Sequence, residues 1–102
     1  GTHSMSVLNF TADSRVACFS VYADVDPGAM SRVMQLFAKE SLTPTRWTST
    51  VEADRLVIDI QMAGLSAERA DYFADVMRRM PVVEAVLTSA KSRLASDDGR
   101  AA

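Results

Sequence analysis

Asp24-Val25-Asp26-Pro27-Gly28-Ala29-Met30 is the stretch that decides the fold, because the chain changes its hydrophobic period across it. Ahead of it, Arg15 to Ala23 is an apolar run that predicts a strand. Ala17, Phe19, Val21 and Ala23 share one face, and Val16, Cys18, Ser20 and Tyr22 the other. Both faces are largely apolar, so the strand is expected at the centre of a sheet, with something resting on the side that helices leave open. Behind the turn, from Ala29 to Lys39, Met30, Val33, Met34 and Phe37 recur at spacings of three and four, which predicts a helix buried along that stripe and closed by Leu42. Pro27 suits the entry, since a first-turn residue has no intrahelical use for its N–H.

Such a turn has chemistry of its own. Gly28 admits a positive φ and close backbone approach, and the N–H groups of Gly28, Ala29 and Met30 are first-turn donors able to receive an anion. Aspartate directly before the turn argues against phosphate. It leaves two readings: Asp26 caps the helix, or Asp24 or Asp26 receives the ammonium group of a zwitterion whose carboxylate the N–H groups hold. Thr43, Thr45 and Trp47, on the neighbouring strand and its approach, are further candidates for lining the same pocket.

The remaining elements follow from period and punctuation. Pro44 or Thr45 to Glu52 predicts a second strand, its polarity and its proline placing it at a sheet edge. Trp47, Ser49 and Val51 share one of its faces, and Arg46, Thr48 and Thr50 the other. Glu52 to Arg55 turns into a third strand, Leu56 to Met62, with Leu56, Ile58, Ile60 and Met62 inward. Gly64 ends it and Ser66 is the N-cap of a second helix, which buries Ala70, Phe73, Ala74, Met77 and Met80 and stops at Pro81. Val82 to Thr88 is the fourth strand, with Val83, Ala85 and Leu87 opposite Val82, Glu84 and Val86. From 91 to 102 little remains to bury, so a flexible tail, or a short terminal helix through Leu94, is expected. The order strand, helix, strand, strand, helix, strand specifies an α+β, ferredoxin-like βαββαβ sandwich: a four-stranded antiparallel sheet with two helices on one face, and the first and third strands central.

Bulk properties narrow the function. The 102 residues make one domain, taken as 5–90, and a domain this small leaves roughly a third of its unfolded surface exposed, which makes a second subunit a natural cover. A formal net charge of -2 gives no electrostatic basis for binding nucleic acid or an anionic membrane, and no run is long enough to span a bilayer. The opening Gly1-Thr2-His3-Ser4 (1–4) has the look of an expression-tag remnant ahead of Met5, and with no leader recognised the expected location is cytoplasmic. His3 is the chain's single histidine and Cys18 its single cysteine, which leaves no triad, zinc set or disulfide to assemble. No catalytic residue, metal site or cofactor is therefore expected. Arg46 and Asp59 are candidates for an ion pair across the strands or between subunits.

The run from Val21 to Met30, continued by Val33 and Phe37, resembles the opening of an ACT domain. Its hallmark is Asp-x-Pro-Gly, or a close variant, after the first strand. Here Asp26 matches the acidic position, Gly28 the glycine and Met30 the usual leucine, and the element order extends the resemblance over about residues 15 to 90. The resemblance implies a non-catalytic regulatory module that pairs through its sheets or sheet edges. It also implies amino-acid binding near the first loop at the subunit interface, here by Asp24, Asp26, Gly28, Ala29, Met30, Thr43, Thr45 and Trp47. The Gly-aliphatic-Asn-aliphatic segment usual after the first helix is replaced by Ser41-Leu42-Thr43-Pro44. The expected function is a stand-alone regulatory or small-molecule-sensing domain acting as a homodimer. The alternative is a structural or protein-interaction module without a ligand, one form of which is the regulatory partner of a larger biosynthetic enzyme.

Overall fold

The computed structural model describes residues 15–92. Its elements are β1 (Arg15–Asp24), α1 (Pro27–Lys39), β2 (Arg46–Glu52), β3 (Arg55–Ala63), α2 (Ala67–Arg78) and β4 (Val83–Ser92). The strands form one antiparallel sheet in the order β2-β3-β1-β4, which is the ferredoxin-like βαββαβ arrangement with β1 and β3 central. Register brings Phe19 opposite Ile60 and Val21 opposite Ile58, so the inward sets of the two central strands coincide. Both helices cover that face. Phe37 of α1 lies between Phe19 of the sheet and Phe73 of α2, with ring centroids 6.0 Å and 5.0 Å away, and all three rings are fully buried. Tilted and edge-on contacts of this kind add about 0.5–1.5 kcal/mol to what burial alone contributes.

The stripe that α1 buries is Ala29, Val33, Leu36 and Phe37, not the expected Met30, Val33, Met34 and Phe37. At about 100° per residue, Met30 and Met34 sit on the flank of this stripe. Met30 is only half-buried and Met34 is 50% exposed, whereas Leu36 is buried. The helix stops by a Schellman arrangement: Leu42 N–H donates to the Phe37 carbonyl (2.9 Å) and Ser41 N–H to the Ala38 carbonyl (2.9 Å). Ser41 there takes φ 61°, a conformation that normally selects glycine. Leu42 then packs against the core, as expected.

β4 departs from simple alternation. Tyr22 pairs with Ala85 but Ala23 with Val83, so Glu84 is an extra residue in a bulge. Beyond it the faces exchange: Val83 and Val86 are buried together, while Leu87 is 60% exposed, against the expected grouping of Val83 with Ala85 and Leu87. β4 also continues past Thr88 to Ser92, opposite Arg15, so Lys91 and Ser92 belong to the sheet rather than to a tail or terminal helix. The expected tag at 1–4 and the remainder of the tail lie outside the described residues.

α2 matches its reading closely, with Ser66 Oγ accepting from Arg69 N–H at 3.2 Å and Ala70, Phe73, Ala74 and Met77 buried. It ends at Arg78, and Met80 is half-buried beyond it. The β2–β3 hairpin turns on Ala53 (φ 49°) and Asp54 (φ 64°), the two left-handed residues that a tight hairpin requires, here supplied without glycine. On the other face of the sheet no helix lies among the described residues. That face carries Cys18, Ser20 and Tyr22 from β1 beside Val57, Asp59 and Gln61 from β3, flanked by Ala85, Leu87 and Ser89 from β4.

Candidate functional site

The turn between β1 and α1 is built around Asp26. This residue is extended (φ -139°) and its Oδ1 accepts the Gly28 N–H at 2.8 Å, while its carbonyl accepts the Ala29 N–H at 2.9 Å. Asp26 is thus the N-cap, and it already engages two of the three donors that an incoming carboxylate would use. Gly28 is not in the left-handed region, so the expected positive φ is absent; the positive-φ glycine among the described residues is Gly64 (φ 78°). What a side chain at Gly28 would meet is Asp26 Oδ1, 3.3 Å from the position of a Cβ, tight against the cap. Ala29 points into the core with no exposure. Asp24 is exposed, and among the described residues no ion pair or side-chain hydrogen bond engages it.

The sequence candidates do not converge on one pocket. Asp24 lies opposite Arg55 at the start of β3. Thr45 joins β3 at Gln61, six residues further on, or roughly 20 Å along the strand. Thr45 has its own task there: its hydroxyl donates to the Gln61 carbonyl (2.9 Å) and accepts from Ala63 N–H (3.2 Å), fastening the entry of β2 to β3. Met30 and Trp47 are linked through Ser49, whose Oγ accepts the indole N–H at 2.9 Å and donates to Met30 Sδ at 3.2 Å. Thr43 and Trp47 face a different hollow, a cleft of about 300 Å³ between the second half of α1 and β2, lined also by Met34, Phe37, Ala38, Leu42 and Pro44. Met34, set in the core stripe by the sequence reading, is instead a wall of this cleft. Its place at the edge of that stripe was the signal available.

A second hollow, of about 360 Å³, opens beside Tyr22, Glu52, Ala53, Arg55 and Val57. Arg55 is held there by Glu84 (3.1 Å) and lies over the Tyr22 ring at 5.8 Å. Both charged groups are about half exposed, and such a pair adds about 0–1 kcal/mol. The anticipated pair between Arg46 and Asp59 does not form within the chain: Arg46 lies opposite Gln61, and Asp59 Oδ1 accepts from Ser20 Oγ at 2.8 Å. Among the described residues no group of three or more His, Cys, Asp or Glu gathers to hold a metal, and no helix is long and apolar enough to cross a membrane.

The fold, the Asp26-Pro27-Gly28 cap and the element order together describe one known family, and a family profile for the ACT-like domain matches residues 11–94. The chain belongs to the ACT-like domain family. Solved structures agree on the fold. The crystal structure of the ACT domain from GTP pyrophosphokinase of Chlorobium tepidum superposes with a TM-score of 0.63 at 9% identity, covering 72% of this chain and 96% of that one. Its solution structure gives 0.64 at 9% identity, covering 74% and 88%. The C-terminal domain of the MgtC protein from Mycobacterium tuberculosis gives 0.62 at 16% identity, covering 78% and 90%. At these identities the likeness concerns the ACT-like fold alone. None of the curated proteins matches the sequence.

Proposed function

We propose that this ACT-like chain is a non-catalytic regulatory module whose working unit is a homodimer paired through the uncovered face of the sheet. The observation that carries this reading is the composition of that face. Cys18, Tyr22 and Val57 are only half-buried there, Ala85 and Leu87 are exposed beside them, and Leu87 keeps 60% of its surface in water. A contiguous apolar seam on a small domain favours a protein partner. Arg46, at its rim, has no ion-pair partner among the described residues, while Asp59, on a central strand opposite Ser20, accepts a single hydrogen bond from that residue. Arg46 of one protomer meeting Asp59 of its partner would supply both.

Binding of an amino acid at the first loop is the second reading, favoured by the exposed carboxylate of Asp24, which no described side chain engages. Asp26 already fills the carboxylate-receiving end of α1, so a zwitterion held by Asp24 would draw its remaining donors from the second protomer. Attachment to a larger biosynthetic enzyme would use the same apolar seam. Sedimentation of the purified chain tests the pairing. A dimer is expected at micromolar concentration, and Leu87→Arg, at an exposed position, should yield a folded monomer. A wild-type chain that stays monomeric throughout would refute the proposal. Calorimetry of the dimer against the twenty amino acids decides the second reading, and silence at millimolar concentration removes it.

A further inference from the structure

The cleft between α1 and β2 lies at the opposite end of α1 from the Asp26 cap, and its chemistry differs. Met34, Phe37, Ala38, Leu42, Pro44 and Trp47 present almost only carbon and sulfur to it, Thr43 is the one hydroxyl-bearing residue of the described lining, and none of the described lining residues is charged. The single polar atom of the Trp47 side chain is turned elsewhere, donating to Ser49, which is outside the lining. Ser49 in turn rests on Met30 Sδ, so the indole is fixed as a flat apolar wall. Met34, also in the lining and 50% exposed, offers a polarisable thioether, a group that packs well against ring edges.

From this lining we propose that the cleft is a binding site for a small, uncharged, ring-bearing molecule with at most one hydroxyl, such as an aromatic alcohol. The volume of about 300 Å³ accommodates a substituted ring. It is too short for a docked helix, which needs anchors over two or more turns. A zwitterion is disfavoured, since its ammonium and carboxylate would lose water with no charged side chain among the described lining residues to replace it.

Trp47 is the only tryptophan in the chain, so its emission reports this cleft alone. Benzyl alcohol is the probe and phenylalanine, the same ring with a zwitterionic head, the contrast. The expected result is a saturable change in emission with benzyl alcohol at millimolar concentration and at least tenfold weaker binding of phenylalanine. Ala38→Phe, which fills the cleft from an exposed position, and Met34→Glu, which puts charge into it, should each weaken benzyl alcohol at least tenfold. Unchanged circular dichroism and sedimentation would establish that fold and pairing are intact in both variants. A response that only rises linearly, one that persists equally in both variants, or emission that tracks protein dilution but ignores the probe would each overturn the proposal. The last of these would mean that a second copy covers the cleft.

Discussion

At the scale of single residues, Asp26 shows how one carboxylate can serve a fold and limit a function. Its side chain takes the Gly28 N–H and its carbonyl takes the Ala29 N–H, so the positive end of α1 is answered from within the chain. Asp26→Ala should therefore destabilise the domain by about 1 kcal/mol, the usual effect of losing an N-cap, measured by urea denaturation at neutral pH. If stability is unchanged, water or a neighbouring group satisfies the turn just as well. The same comparison bears on ligand binding: an amino-acid carboxylate that bound only after Asp26 was removed would identify this side chain as the internal occupant of the site. Gly28 belongs to the same device, because a Cβ there would press on the capping oxygen rather than strain the backbone.

At the scale of elements, α1 is instructive at its far end. Ser41 occupies the left-handed position of a Schellman stop, where an L-residue pays about 1–2 kcal/mol relative to its preferred backbone. Ser41→Gly should raise stability by about 0.5–1 kcal/mol, since glycine's greater freedom in the unfolded chain returns part of that gain; thermal denaturation with matched calorimetry is the measurement. Ser41 thus completes the stop without a glycine. The element order, the central placement of β1 and β3 and the buried stripe of α2 were all legible in the sequence, because each rests on a regular period and a recognisable cap. Three things were not. The burial of Leu36 in place of Met34 depends on where the sheet lies relative to α1, and two neighbouring stripes of one helix look equally apolar in text. The bulge at Glu84 leaves no mark in composition. The separation of Thr43 and Thr45 from Asp24 follows from α1 running its whole length between them, a matter of geometry that a shared loop motif conceals.

At the scale of the whole molecule, one layer of helices against one sheet leaves a core two elements deep, and Phe37 is where the layers meet. It touches the sheet through Phe19 and the second helix through Phe73. Phe37→Ala should cost about 3–5 kcal/mol, a large share of the stability of a domain this size. Guanidinium denaturation is expected to show it as a loss of midpoint with the cooperativity retained. The opposite face is organised differently, around Tyr22, Val57, Ala85 and Leu87 with the Asp59 carboxylate among them, and among the described residues no second layer covers it.

The bulge at Glu84 ties these faces together. Up to Val83 the fourth strand is written in one phase, and from Ala85 onward in the other. One added residue thus decides which side chains the strand keeps and which it displays. Val86 is drawn in with Val83, and Leu87 is turned out onto the seam. Because the inner set is held by the core, the outer set beyond the bulge is open to substitution without disturbing the fold. Chain length at this one point works as a switch of address, and the identity of the residues after it as the message delivered there. Under the proposed pairing, a few outward positions of this edge strand set what the open face offers a second copy, while every buried contact stays as it stands.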